Sequence, residues 1–164
     1  MAGWVKTSGF AMISGTFASV SSTLALGLLA RAEGKGALQP VNSTSHWLNG
    51  EQAASFQGLD LAHTAVGYAT HHAATVFWAA LFEGWVGTRR PLAALPMLQH
   101  ALAMSAVAAA VDYIATPRRF TPGWEFVLTK RSMAAAYVAM ALGLAAGGLA
   151  TQRGLHGGRA TPAR

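Results

Sequence analysis

The chain has 164 residues, 52% of them hydrophobic and only 11% charged, with a formal net charge of +6 and no cysteine. The missing cysteine excludes disulfides, thiolate metal sites and thiol nucleophiles, and the length leaves no room for a second sizeable domain. A positive balance would suit nucleic acid in a soluble protein, but no such motif accompanies it, and basic pairs at Arg89-Arg90, Arg118-Arg119 and Lys130-Arg131 flank apolar runs instead.

Charges fall in clusters. None occurs between Lys6 and Arg31, between Asp60 and Glu83, between Arg90 and Asp112, or between Arg131 and Arg153. Each gap approaches the roughly 20 residues a helix needs to cross about 30 Å of hydrocarbon. The reading is therefore all-α: a polytopic transmembrane four-helix bundle forming one integral membrane domain over residues 1–164. Spans are predicted at about 8–30, 61–86, 91–116 and 129–152, with a long polar first loop and a short interfacial helix before the last span. Its partners are the lipid bilayer and anionic head groups, with a homo-oligomer or another membrane protein as a further partner, and no nucleic acid.

The first span carries Ala11, Gly15, Ser19, Thr23 and Gly27 at intervals of four, a ridge of small residues that lets helix backbones approach closely. Lys6, the apolar run and Ala30-Arg31-Ala32 also resemble a cleavable signal, but the run exceeds the usual apolar core, so a retained span is expected. The first loop, RAEGKGALQPVNSTSHWLNGEQAASFQGLD, is polar with scattered Trp47, Leu48 and Phe56 and is predicted to lie on the bilayer surface. Its Asn42-Ser43-Thr44 sequon has meaning only in a glycosylating host.

The second span, LAHTAVGYATHHAATVFWAALFEGWV, holds three histidines and a glutamate, and ionisable groups at membrane depth are expensive. With His71 at zero on a straight helix, Gly67, Thr64, Thr75 and Tyr68 fall within about 60°, His63 at about −80° and His72 at about +100°. Val66, Ala69, Ala73, Phe77, Ala80 and Leu81 occupy the other half. Glu83, beside Arg89 and Arg90, reads as an interfacial acid paired with an arginine.

The third span contains Pro96 near its start, His100 within it and Asp112 near its end, with Pro117 just beyond. Hairpin geometry places Asp112 level with His63 and predicts that they pair. In TPRRFTPGWEFVLTKRS, Thr121 can cap and Pro122 can open a short interfacial helix, with Trp124 and Phe126 at head-group level. Trp4, Trp47, Trp85 and Trp124 lie at span ends as an aromatic belt, and Trp78 breaks the pattern. The fourth span repeats the small-residue device with Ala135, Ala139, Gly143 and Gly147, so the first and fourth spans are expected to pack together or to form a homo-oligomer face.

Orientation rests on a tie. Lys6, Arg89, Arg90, Arg153, Arg159 and Arg164 collect on the side of the termini, and Arg31, Lys35, Arg118, Arg119, Lys130 and Arg131 on the other. Cytoplasmic termini are expected because the opposite side also holds Glu33, Glu51, Asp60 and the long loop.

Three readings of the histidines stay open. They hydrogen-bond across helices to hold the bundle; or His63, Tyr68, His71, His72, His100 and Asp112 line a path for protons or a small ligand; or His71, His72 and His100 hold haem or a metal. Adjacent His71 and His72 diverge by about 100°, which hinders shared ligation. No di-iron HxxHH, GxSxG, HExxH or P-loop pattern occurs, so the expected role is non-enzymatic and without cofactor, haem being the alternative.

Three segments carry a resemblance: QPVNSTSHWLNGE in the first loop, GYATHHAATVFWAALFE in the second span and VDYIATPRRFTPGWE leaving the third. Together they resemble a family of proteobacterial four-helix inner-membrane proteins marked by a PVNxxSHW loop, a GYxxHHAA helix and a TPGWE segment. The resemblance implies a helical bundle in the bacterial inner membrane and brings no assigned reaction, cofactor or ligand.

Overall fold

The uncharged stretch after Lys6 folds as one uninterrupted helix, α1 (Ala2–Ala32), which at 1.5 Å per residue reaches roughly 46 Å. It stops at Gly34, whose φ of +72° is a left-handed conformation that glycine adopts without a Cβ penalty. Lys35 N–H donates to Ala30 C=O at 2.8 Å and Gly34 N–H to Arg31 C=O at 3.0 Å, the paired closure of a Schellman turn. The computed structural model describes the backbone of residues 2–157 and the side chains of 7–153, and every regular segment among them is helical.

After α1 come two short helices, α2 (Gln39–Ser43) and α3 (His46–Asn49), then α4 (Val66–Gly87), α5 (Ala94–Ala110) and α6 (Lys130–Gly157). A π turn, Leu61–Ala65, leads into α4, and another, Val111–Ala115, prolongs α5. Three helices are long and apolar enough to cross a membrane: Thr7–Ala32, Ala94–Ala115 and Lys130–Arg153. The segment expected as the second of four spans is not among them, because its histidines, threonines and Glu83 lower its apolar content.

α1 lies between α4 and α6, and α5 packs mainly on α6. The α1–α6 contact is set by missing side chains. A Cβ on Gly143 would lie 2.5 Å from Phe17 C=O and 2.6 Å from Ala18 Cα, and one on Gly147 would lie 2.5 Å from Ser14 Cα. Ser21 Oγ crosses the same seam to donate to Ala139 C=O at 2.8 Å. Gly15 faces α4 instead, where a Cβ would meet Val76 Cα at 2.7 Å. The four-residue ridge drifts about 40° per step on a helix, so Ser19 is buried while Thr23 is half-buried and Gly27 looks onto Ala37 of the first loop.

The first loop departs from the expected surface layer. Every residue of QPVNSTSH, 39–46, is buried, and the segment plugs one end of the bundle. Asn42 holds it, its amide donating to Phe56 C=O at 2.9 Å and Gly58 C=O at 3.0 Å while its oxygen accepts from Thr64 Oγ1 at 2.7 Å. Polar residues in the loop are satisfied by one another's backbone, which is why a polar stretch can be buried here. Gly67 admits the plug, since a Cβ there would lie 2.0 Å from Val41 C=O.

The expected interfacial helix before the last span is likewise absent. Arg118–Phe120 and Trp124–Phe126 form single 3₁₀ turns joined by Thr121, Pro122 and left-handed Gly123. Thr121 Oγ1 donates to Arg118 C=O at 2.9 Å and to Glu125 rather than capping a helix. Trp124 is 3% exposed and packs into the bundle end rather than outward. Trp85 stays outside and Trp47 is half-buried, donating to Thr70 Oγ1 at 3.1 Å; the Trp4 side chain lies outside the described residues.

Candidate functional site

His71 is buried on the face of α4 that meets α1, where its Nε2 lies 2.9 Å from Ser22 Oγ. Gly67, Thr75, Trp78 and Phe82 share that face, while Phe77 and Leu81 on the opposite side are 57% and 46% exposed. Beside His71 is a cavity of about 80 Å³, well above the ~10–15 Å³ one ordered water occupies. Each long helix except α1 contributes to its wall or to an adjoining turn: His71, Thr75 and Trp78 from α4, Asp112 from the π turn after α5, and Tyr137 from α6. Thr44 of the buried loop and the 120–124 turn complete it. The chamber thus gathers all three sequence segments that carried the resemblance.

Local bonds fix these groups. Tyr137 OH donates to Asp112 Oδ2 at 2.6 Å, and Ser105 Oγ, one buried level along α5, donates to Tyr137 C=O at 2.6 Å. Trp124 is held by its indole N–H, 3.2 Å from Thr44 Oγ1, and its ring meets His71 edge-on at 5.6 Å and Tyr137 at 5.4 Å. His46 ties the loop to the 118–124 turn, with Nδ1 2.9 Å from Ser43 C=O and Nε2 3.1 Å from Arg118 C=O. Gly123, at φ +80°, fits beneath it: a Cβ would lie 2.5 Å from Ser43 C=O. Tyr113 and Glu125 stand behind Asp112 and Tyr137, lining a separate surface cleft with Lys130.

The other candidate residues do not join His71. His63 pairs with Asp60 at 2.8 Å and stacks on Phe56 at 4.3 Å, so the predicted His63–Asp112 pair is replaced by His63–Asp60 and Tyr137–Asp112. Asp60 caps the π turn, accepting from His63 N–H at 2.7 Å, and a carboxylate three residues away outcompetes one across a helix interface. The hydrogen bond from His63 holds the Asp60 carboxyl below its ordinary range. The π turn at Val111–Ala115 also breaks the straight-helix register and turns Asp112 toward α6.

His72 stacks on exposed Tyr68 at 5.9 Å, and its buried Nδ1 has no hydrogen-bond partner. His100 Nδ1 lies 2.7 Å from Pro96 C=O and its ring meets Trp85 at 5.0 Å. Neither lines the chamber. Among the described residues no three His, Cys, Asp or Glu side chains gather as a metal-binding group.

A second buried polar cluster lies at the opposite end. Arg90, expected among the head groups, folds inward with its side chain 7% exposed and bonds Glu83 at 2.6 Å, Thr151 Oγ1 at 2.9 Å and Gly148 C=O at 3.2 Å. Ser14 donates to the other Glu83 oxygen. Gln152 and Leu92 exchange hydrogen bonds at 2.8 and 2.9 Å, fastening the 88–93 turn to α6. The Glu83–arginine pair agrees with the sequence reading; its burial does not, and the hydroxyl of Ser14 within the first span was the available signal. Comparison with family models, with curated proteins and with solved structures finds no match to this chain.

Proposed function

We propose that the chain is a non-enzymatic integral membrane protein of four spans that binds a small polar solute in the chamber at His71, Asp112 and Tyr137. The observation that carries this reading is that side chains from α4, the turn after α5 and α6 line one cavity, to which the first loop adds Thr44. A polar-tipped, aromatic-walled cavity built from several helices is the usual form of a small-ligand site in a bundle. His71, Thr75 and Glu83 of α4 then face protein rather than lipid, with only Tyr68 and His72 of its polar side turned outward, which makes it tolerable as the remaining span. Alternating packing supports that topology: residues 39–46 meet the 118–124 turn at one end, and the 88–93 turn meets Gly148 and Thr151 at the other. The resemblance of the three segments favours the proteobacterial inner membrane, with termini in the cytoplasm and anionic lipids as neighbours of the exposed basic residues. The dispersal of His71, His72 and His100 favours no shared cofactor.

The cysteine-free sequence supplies the test. Cysteines placed at exposed Ser55 and Thr88 should label from opposite faces of sealed membranes, and the purified protein should be stabilised against heat by a subset of small polar solutes, with the effect lost in Asp112→Asn. Labelling from one face would overturn the four-span topology, and indifference to every solute would overturn the binding role.

A further inference from the structure

Resting on the chamber as a binding site, we infer that its ligand is a small organic cation, an alkylammonium group. Asp112 is the only carboxylate in the wall and no lysine or arginine lines it. Among the described residues Asp112 has no ion pair; its bonded partner is the Tyr137 hydroxyl. The arginines and lysine on neighbouring elements form no ion pair with Asp112: Arg118 pairs with Glu51 at 3.2 Å, Arg119 donates to Trp47 C=O at 3.2 Å and lies 6.0 Å over the Phe120 ring, and Lys130 lies in the cleft with Tyr113 and Glu125. Asp112 is half-buried and a carboxylate partly withdrawn from water without a cation is costly, so the wall lacks one positive charge that a ligand can bring.

The rest of the lining selects the kind of cation. Trp78, Phe120, Trp124 and Tyr137 supply four aromatic rings, whose negative faces attract an alkylated ammonium at low desolvation cost. A divalent metal ion asks instead for about six or more oxygen ligands, and here one carboxylate and scattered threonine hydroxyls are all that is offered. An anion would meet Asp112 directly. At about 80 Å³ the chamber fits an ammonium bearing one to a few methyl groups, whether a free amine or the head group of a lipid reaching in past exposed Phe120.

Tetramethylammonium chloride and its uncharged analogue neopentyl alcohol, titrated calorimetrically into the full chain in phosphatidylglycerol nanodiscs, separate the cases. The inference requires saturable binding of the cation, no comparable binding of the alcohol, weakening by more than about thirtyfold in Asp112→Asn, and weakening by about three- to tenfold in Phe120→Leu. Phe120 is exposed, so this second variant carries the test if Asp112→Asn fails to fold. Repeating the titration with phosphatidylethanolamine added identifies the source: competition assigns the lipid ammonium, and unchanged binding assigns a soluble cation. Equal binding of the alcohol, or full affinity in a folded Asp112→Asn or Phe120→Leu variant, overturns the cation while leaving the chamber a binding site. Absence of binding by either probe, with no other solute stabilising the protein, overturns both.

Discussion

Glu83 and Arg90 show how far a residue's surroundings can depart from its place in the sequence. Both are near the end of α4, where charges normally meet water, yet their side chains are 1% and 7% exposed and the arginine bridges α4 to α6. Removing one member of such a pair strands the other charge, at a cost of about 3–5 kcal/mol, whereas replacing both with apolar groups of similar volume is often neutral or favourable. Arg90→Met should therefore destabilise the protein by about that amount, and Glu83→Leu combined with Arg90→Met should recover most of the loss. Reversible unfolding in mixed micelles, run as a double-mutant cycle, checks this. A single-variant cost below about 1 kcal/mol would show that the pair is solvated after all.

At the scale of elements, α1 is joined to α6 through a charge that looks unremarkable in the sequence. Glu33 follows the last turn of α1 and accepts from Thr129 N–H at 3.1 Å, Thr129 Oγ1 at 2.7 Å and Ser132 Oγ, so it sits at the positive N-terminal end of α6, on one amide and two hydroxyls. The hydrogen bond from Ser132, reinforced by Thr129, lowers the Glu33 pKa from its ordinary 4.5. A folded-state value below the unfolded one contributes stability that is complete above about 4.5 and disappears as pH falls through the lowered value. The difference in melting temperature between the wild type and Glu33→Gln should accordingly be constant from neutral pH down to about 5 and shrink below it; a difference that persists undiminished at pH 3 would refute the linkage. The four long helices were legible because charge-free intervals mark their lengths, and the outward half of α4 because apolar residues repeat on it. The π turns were not, since one extra residue per turn leaves no trace in composition, and they move His63 and Asp112 apart. Nor was the burial of residues 39–46 legible: Gln39, Asn42, Ser43 and Thr44 read as solvated until their partners, distant in the sequence, are known. For the site, the sequence marked His71 and Asp112 but could not reveal that Tyr137 bonds Asp112 or that His72 and His100 stand apart.

For the molecule as a whole, the two ends differ in a way that bears on access. One end is fastened by the buried charged clasp at Glu83 and Arg90, while the chamber end is closed by hydrogen bonds between the loop plug and the 118–124 turn and by one solvent-exposed ion pair, Arg118–Glu51. Opening of a segment held by a few hydrogen bonds and a solvent-exposed ion pair costs less than global unfolding, so a solute can reach the chamber without disturbing the bundle. Gly123 is the position at which to perturb this closure. Alanine there would carry a left-handed backbone, costing about 1–2 kcal/mol, and would press on Ser43 C=O. Since the bundle helices do not share that strain, it should appear as more frequent opening, by about five- to thirtyfold. With Thr75→Cys as the sole thiol inside the chamber, a small water-soluble maleimide should react faster by that factor in Gly123→Ala, while the global unfolding midpoint changes little. Equal labelling rates in the two backgrounds would mean that entry does not pass the plug, and a matching fall in the midpoint would mean that the plug and bundle unfold as one unit.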